Sequence, residues 1–274
     1  MLRRSVIAMF LAMACPAFAA GYDDYMRGVE AMHAPNTDLA IQSFTQALAD
    51  GDLAATYVPV AHFYRAAAYL AKGQCATALA DLDEAIKLKA DYLDAVMLRA
   101  NALRCLDRKD DAVADLNAAV ALSPTAVIYR ARGQFRWNIG QFADAAGDFA
   151  EVARLDHKSA YPVLWFAISV ARTGSLDQDK FAKMVSDLDV DDWPMPLLDF
   201  FRGRSDPDKV YREAADNATA AADQKCEADF YIAEWRLTHG EVPTAKSLLQ
   251  QAANECPHNF VEYGAAMTDL RRVP

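Results

Sequence analysis

The side chains that most often do chemistry are present, but they do not form a recognised catalytic set. Five histidines are scattered along the chain, namely His33, His62, His157, His239 and His258. The His-Gly-Glu segment at 239–241 predicts a turn and lacks the His-Glu-x-x-His spacing of a zinc-protease helix. The neighbouring acids Asp191 and Asp192 are typical of a solvated loop. We therefore predict no catalytic residue, no metal site and no cofactor, and keep an enzyme with its site in residues 186–225 as the alternative.

The composition favours a helical protein that does not bind nucleic acid. Of the 274 residues, 55 are alanine, whereas glycine and proline number only 11 each. Alanine is the strongest helix former, and glycine and proline are the weakest. The hydrophobic fraction of 53% excludes a wholly disordered chain. The net charge of −10 argues against a general nucleic-acid binder, which needs a basic face for the phosphates.

The first nineteen residues have the pattern of a secretory signal peptide. The basic pair Arg3-Arg4 precedes an apolar stretch that ends at Cys15 and is too short to span a bilayer. The small-x-small segment Ala17-Phe18-Ala19 predicts cleavage after Ala19, export, and no membrane insertion after cleavage. A lipid anchor at Cys15 is the less favoured alternative, because residues 12–14 lack the expected leucine-like residue.

The rest of the chain repeats one pattern of small and large residues. From a small residue in a predicted first helix, further apolar residues follow after 12, 16 and 19 positions in five segments, which we place at 21–54, 59–92, 93–125, 126–159 and 226–259. In the second segment the helices are expected at 62–72 and 76–88. A turn residue recurs between the helices, as Gly73, Asp107, Gly140 and Gly240. This period resembles the tetratricopeptide repeat, a helix–turn–helix unit of 34 residues.

The resemblance implies an all-α, tetratricopeptide-type solenoid of helical hairpins. Residues 20–159 would form four repeats, and 226–274 one repeat and a capping helix at 260–271. Between them, 160–225 is a degenerate segment in which we expect helices at 161–172, 179–188, 197–202 and 207–217. Residues 1–19 form the signal peptide. A single hairpin at 226–259 would be marginal alone, so the array should remain one body.

Three segments of the second half carry a closer resemblance. These are Trp193–Leu198, Cys226–Glu234 and Pro257–Tyr263, and together they look like the C-terminal half of the bacterial NlpI-type tetratricopeptide proteins. That family implies a non-enzymatic adaptor in the cell envelope, here periplasmic. It also implies cell-wall hydrolases and a processing protease as partners.

Four cysteines remain after cleavage, an even number that suggests two disulfides in an exported chain. Antiparallel packing of one hairpin brings Cys226 and Cys256 together. Cys105 ends the first helix of one repeat and Cys75 begins the second helix of the preceding repeat. Packing of these two helices should bring the two cysteines together. Each bond would stabilise the fold by roughly 3–4 kcal/mol. Four buried thiols are the alternative, and zinc is disfavoured because no pair has short ligand spacing.

Arginine and aspartate also recur with the repeat. Arginine occupies one position, as Arg27, Arg65, Arg99 and Arg132, and aspartate follows sixteen residues later, as Asp81, Asp115 and Asp148. We interpret this as a ladder of bonds between packed helices in preference to a binding stripe.

The first helices of such an array line a concave groove, which is the predicted binding site for a protein or peptide partner. The groove residues singled out are Tyr22, Tyr25, Phe63, Met97, Asn101, Arg104, Arg130, Gln134 and Trp137. They change from aromatic to polar and cationic along the chain. An exported adaptor is therefore the favoured function, and a purely architectural homodimer is a further alternative.

Overall fold

A computed structural model describes residues 17–34, 36–174 and 176–273. Within these residues the chain forms fifteen α-helices and no strand, which confirms the predicted all-α fold. The predicted signal peptide up to residue 16, with Cys15, lies outside the described residues, and the predicted cleavage position falls in the first turn of the first helix. The chain divides into two compact units between Asp115 and Leu116.

Unit 1 is built from helices that alternate as first and second members of hairpins. They are α1 (Ala17–His33), α2 (Thr37–Ala49), α3 (Val58–Ala71), α4 (Cys75–Leu88), α5 (Leu93–Cys105) and α6 (Lys109–Leu122), the last of which contains the boundary between the units. Asn36 caps α2 by accepting a hydrogen bond from the backbone N–H of Leu39. Helix α3 begins four residues earlier than predicted because Pro59 lies in its first turn, where proline is tolerated.

The residues of the predicted repeat pattern form the core of each unit. In unit 1, Ala40, Phe44, Ala66 and Leu82 are all fully buried. A small residue is needed where two helices approach closely: a Cβ atom built on Gly28 would lie 2.7 Å from the ring of Phe44, sixteen residues later. The pattern thus records helix-to-helix contact within a hairpin.

The predicted turn residues all adopt the left-handed backbone conformation. The φ angles are +71° at Gly73, +85° at Gly140 and +79° at Gly240, and Asp107 reaches +58°. Glycine adopts this conformation without a steric penalty, and aspartate is one of the few other residues that tolerate it. The same turn chemistry therefore ends the first helix of each of these hairpins.

Unit 2 continues with hairpins and then becomes irregular. Its helices are α7 (Ala126–Ile139), α8 (Phe142–Leu155), α9 (Tyr161–Ala171), α10 (Gln178–Ser186), α11 (Met195–Phe201), α12 (Pro207–Asp216), α13 (Ala221–Thr238), α14 (Val242–Glu255) and α15 (Val261–Leu270). Two of the short helices, α10 and α12, begin at side-chain caps: Asp177 accepts from the N–H groups of Asp179 and Lys180, and Asp206 from that of Lys209. These helices lie close to the positions predicted for the degenerate segment.

Helix α13 is the central element of unit 2. Nine consecutive residues, Cys226–Glu234, are buried, so this helix is covered on every side. It packs against α9, α11, α12, α14 and α15. Helix α15 buries Ala265 and Ala266 and lies at the predicted capping position. In the part of the chain that the structure describes, no helix is both long and apolar enough to cross a membrane.

Candidate functional site

The recurrent arginines and aspartates form a ladder inside the units, as predicted. Arg65 contacts both carboxylate oxygens of Asp81 at 2.6 and 2.8 Å, and Arg99 contacts both oxygens of Asp115 at 2.7 Å. In unit 2, Arg132 does the same with Asp148 at distances from 2.6 to 3.1 Å. Each pair joins the two helices of one hairpin. These arginines are therefore committed to the fold.

Arg27 departs from this pattern. It bonds to Asp24 on its own helix, because the position sixteen residues later is Ser43. Further contacts surround the other pairs: the His62 ring bonds to Asp81 at 2.9 Å, and Arg136 adds a second cation on Asp148 at 2.6 Å.

Unit 1 places its predicted groove residues on the first helices α1, α3 and α5. Asn101 and Arg104 are exposed, and Phe63 and Met97 are half-buried. Tyr22 is 41% exposed, whereas only 8% of Tyr25 is exposed. The ring of Tyr25 packs edge-on against Phe44 at 5.9 Å, so it supports the core and offers a partner little area.

Unit 2 places only some of its predicted groove residues at the surface. Arg130 is exposed and lies 3.7 Å from Asp156, and Gln134 is half-buried. Trp137 is 0% exposed, and its ring contacts Phe142 at 4.8 Å and Trp165 at 5.3 Å. The prediction that Trp137 faces a partner is therefore wrong, because helices α8 and α9 cover it.

A cluster of aromatic rings in unit 1 contains three tyrosines that sequence reasoning missed. We define the tyrosine face as Tyr22, Tyr25, Tyr57, Tyr64 and Tyr92. The ring of Tyr57 lies 5.3 Å from Tyr22 and 5.2 Å from Tyr25. Phe63 contacts both Tyr64 and Tyr92 at 5.3 Å. Tyr57 and Tyr92 each immediately precede a first helix, so their spacing of one repeat was a usable signal.

Burial and neighbouring side chains raise the pKa of two hydroxyl groups of the tyrosine face. Burial raises the pKa of Tyr25, and the neighbouring Tyr64, Tyr57 and Tyr22 raise it further. Burial, the Asp94 carboxylate, and the more distant Tyr64 and Tyr25 raise the pKa of Tyr92 to about 12. The hydroxyls of Tyr25 and Tyr92 therefore stay protonated at neutral pH and can donate hydrogen bonds.

The predicted cysteine pairs lie at disulfide distance. The Cα atoms are 6.1 Å apart for Cys75 and Cys105, and 5.1 Å apart for Cys226 and Cys256. Both separations fall within the range that a disulfide requires. A bond in each pair would tie neighbouring helices within one unit, α4 to α5 in unit 1 and α13 to α14 in unit 2.

Unit 2 also buries acidic groups that the sequence did not single out. Glu227 accepts hydrogen bonds from the Tyr161 hydroxyl and from the indole N–H of Trp193 at 2.6 Å. Glu262 accepts one from the Tyr231 hydroxyl at 2.8 Å. Burial raises the pKa of Glu262 to about 7, and the charge of Glu227 adds to this.

A second acidic pair lies deeper in the same unit. Arg172 contacts both oxygens of Glu234 at 2.8 Å and one oxygen of Asp269 at 3.3 Å. Burial and the neighbouring Asp269 raise the pKa of Glu234, although Arg172 opposes them. These carboxyl groups connect α9, α13 and α15 and so act in packing. In the described parts of the chain, no group of three or more histidine, cysteine or acidic residues is placed to hold a metal ion.

Comparison with known proteins agrees with this architecture. The chain is 24% identical to the Lipoprotein NlpI homolog of Haemophilus influenzae over 278 aligned positions, which cover 98% of this chain and 88% of that protein. No family model matches the chain.

Solved structures show the same fold. A tetratricopeptide repeat protein from Parabacteroides merdae matches with a TM-score of 0.57 at 15% identity, covering 91% of this chain and 98% of that one. The C-terminal part of a repeat protein from Cytophaga hutchinsonii matches with a TM-score of 0.53 at 17% identity, covering 89% and 87%. The described residues thus have the helical-hairpin fold of solved tetratricopeptide repeat proteins, and the chain is similar in sequence to a protein named as an NlpI lipoprotein homologue.

Proposed function

We propose that this protein is an exported, non-enzymatic adaptor that binds protein or peptide partners through the first-helix surface of unit 1. The observation that carries the proposal is that some side chains of unit 1 bond within the hairpins while others remain exposed. Arg65 and Arg99 are used within the hairpins, whereas Tyr22, Tyr57, Asn101 and Arg104 stay exposed. Rigid aromatic side chains beside exposed polar groups are typical of binding surfaces for proteins.

The resemblance to the NlpI-type family supports the choice of partners and compartment. Cell-wall hydrolases and an envelope protease are the partner classes that it implies, and the periplasm is the location. We retain the division into a signal peptide at 1–19, four repeats at 20–159, a degenerate segment at 160–225 and a C-terminal repeat with its cap at 226–274 as part of this proposal.

The proposed location includes cleavage after Ala19. The matched relative carries the word lipoprotein in its name, which favours the alternative of a lipid anchor at Cys15. The intact mass of the protein purified from an envelope fraction separates the two. A mature chain that starts at Ala20 supports soluble export, and a chain that starts at an acylated Cys15 overturns it.

Site-specific crosslinking tests the binding surface. A photoreactive amino acid at Asn101 on α5 should crosslink to a partner in an envelope extract. The matched control places it at Lys87, an exposed residue on the second helix α4. Arg104→Glu should reduce the crosslink at Asn101, whereas equal crosslinking from Asn101 and Lys87 would remove the first-helix surface from the proposal.

Two further measurements test the remaining alternatives. Light scattering that gives twice the chain mass, together with an Asn101 crosslink to a second copy, would favour an architectural homodimer. Turnover of a cell-wall substrate that is lost on substitution within 186–225 would favour an enzyme.

A further inference from the structure

The exposed patch consists of Tyr22 and Tyr57 of the tyrosine face together with Met26, which lies one helical turn after Tyr22 on α1. Tyr22 is 41% exposed, and Tyr57 and Met26 are each 37% exposed. Tyr57 contacts both Tyr22 and Tyr25, so the exposed rings rest on a buried aromatic layer. The patch is therefore held in shape before a partner arrives, which lowers the entropy lost on binding.

The hydrogen-bonding groups of this patch select among the shapes that a partner segment can take. The tyrosine hydroxyls can donate to main-chain carbonyl groups, but the described part of unit 1 has no strand and so offers no edge to pair with main-chain N–H groups. A β-strand would find no neighbouring strand edge in the described residues, and a helix uses its carbonyls internally. A polyproline II segment has free carbonyls and, where it contains proline, no N–H to satisfy.

The charges near the tyrosine face favour a partner segment that carries positive charge. Asp23 follows Tyr22 on α1, whereas Asp91 and Asp94 flank Tyr92 at the start of α5; all three are exposed, and none forms an ion pair with another described residue. The ammonium group of Lys89 already lies 4.9 Å from the centre of the Tyr92 ring. A cation can thus rest on this aromatic surface, where ring and carboxylates both attract it.

We propose that the tyrosine face binds an extended, proline-rich segment of a partner protein that carries lysine or arginine. The prolines pack on the exposed rings of Tyr22 and Tyr57, main-chain carbonyls accept from tyrosine hydroxyls, and the cations lie near Asp23 and Asp94. This deepens the proposed function and rests on it, because it names the chemistry of the segment that the first-helix surface recognises.

Fluorescence anisotropy with labelled peptides tests the recognition directly. A nonapeptide of three Arg-Pro-Pro repeats should bind the full chain, and Tyr57→Ala should weaken binding about tenfold, as for an aromatic hot spot. Three Arg-Ala-Ala repeats test the need for proline, and three Glu-Pro-Pro repeats test the sign of the charge; each should bind about tenfold more weakly. Asp94→Lys should weaken the arginine peptide and improve the glutamate peptide.

Two controls keep this test independent of folding and of the wider function. Tyr57→Phe keeps the ring and removes the hydroxyl, so binding should fall between that of the natural chain and Tyr57→Ala. Tyr263→Ala changes a half-buried tyrosine in unit 2 and should leave peptide affinity unchanged. Equal affinity for the proline and alanine peptides, or no loss in Tyr57→Ala, would overturn the inference. If crosslinks from Asn101 persist in that case, the adaptor function stands with a different segment.

Discussion

Arg65 on α3 holds Asp81 on α4 through two hydrogen bonds, from Nε to Oδ2 at 2.8 Å and from Nη2 to Oδ1 at 2.6 Å. The His62 ring adds a third contact to the same carboxylate. The Asp81 side chain is only 8% exposed, so water screens these contacts weakly. Donors that face a buried carboxylate are costly to leave without that charged acceptor.

Asp81→Asn should therefore destabilise the protein. It removes the charge that Arg65 and His62 face, and we expect the free energy of unfolding to fall by about 2–3 kcal/mol. Urea denaturation followed by circular dichroism measures this. Asp83→Asn is the matched control, because Asp83 also pairs with an arginine but its side chain is 55% exposed, and it should cost less than about 1 kcal/mol. Equal losses in the two variants would contradict this account.

The same pair predicts how stability depends on acid. Burial alone would raise the pKa of Asp81, but hydrogen bonds from Arg65 and His62 outweigh it and lower the pKa below its usual value. The stabilisation is therefore present above the unfolded-state pKa of about 4 and is lost as the pH falls through the folded-state value. The difference in stability between the natural chain and Asp81→Asn should shrink below about pH 4. A constant difference from pH 6 to pH 2 would be the contrary result.

Glu262 predicts the opposite trend near neutral pH. Its folded-state pKa is raised to about 7, so the folded state holds a proton that the unfolded state has already released. The contribution of this group to stability falls as the pH rises from about 4.5 to about 7. Glu262→Gln keeps an acceptor for the Tyr231 hydroxyl and cannot ionise. At pH 8 the variant should be more stable than the natural chain by on the order of 1–3 kcal/mol, which raises its melting temperature. At pH 4 the melting temperatures of the two should match.

The cysteine pairs predict a dependence on reducing agent. If both bonds form, each closes a loop with a sequence separation of 30 residues. Cys226→Ser with Cys256→Ser should then cost roughly 3–4 kcal/mol of stability on the chain-entropy model. Mass spectrometry of the alkylated protein, with and without reduction, counts the free thiols. Four free thiols in the oxidised protein would refute both bonds.

The structure predicts that any side chain at Gly28 would clash with the ring of Phe44. Substitution of Gly28 by alanine would place a Cβ atom 2.7 Å from the ring of Phe44, which has no exposed area and little room to move. Gly28→Ala should therefore lower stability by about 1–3 kcal/mol, although alanine favours a helix. Gly147→Ala in α8 is the matched control: apart from its chain neighbours and the adjoining helix backbone, no atom lies within 4 Å of the added Cβ, so stability should rise by about 0.5–1 kcal/mol. Thermal melts of both variants decide the matter.

The fold could be predicted because each repeat carries several signals that agree. Asp107 stands where three other repeats have Gly73, Gly140 and Gly240, and its positive φ angle shows that this position in the repeat fixes the backbone. The spacing of Arg99 and Asp115 predicted a contact because sixteen residues join equivalent faces of the two helices in a hairpin. Local patterns of this kind need no knowledge of distant parts of the chain.

The candidate site was predicted less well, because exposure depends on distant neighbours. Trp137 has the groove position of its helix, yet Trp165, from the next hairpin, covers it. The burial of Glu227 follows from α13 being surrounded by five helices, and that of Glu262 from α15 packing on α13 and α14; no repeat pattern in the sequence records these contacts. Tyr57 was missed because it precedes a helix and lies outside the first-helix positions that we considered.

The contacts of unit 2 have a consequence for biogenesis. In unit 1, the ladder joins residues 16 apart, so these bonds can form soon after the chain emerges. In unit 2, the hydrogen bond from Tyr161 to Glu227 can form only after 66 further residues have been made. Arg272 donates to the backbone oxygen of Trp137, 135 residues before it. A chain synthesised or translocated from its amino end therefore completes the contacts of this second unit only after residue 272, and a chain that stops before α13 would leave α9 without the helix that packs on it.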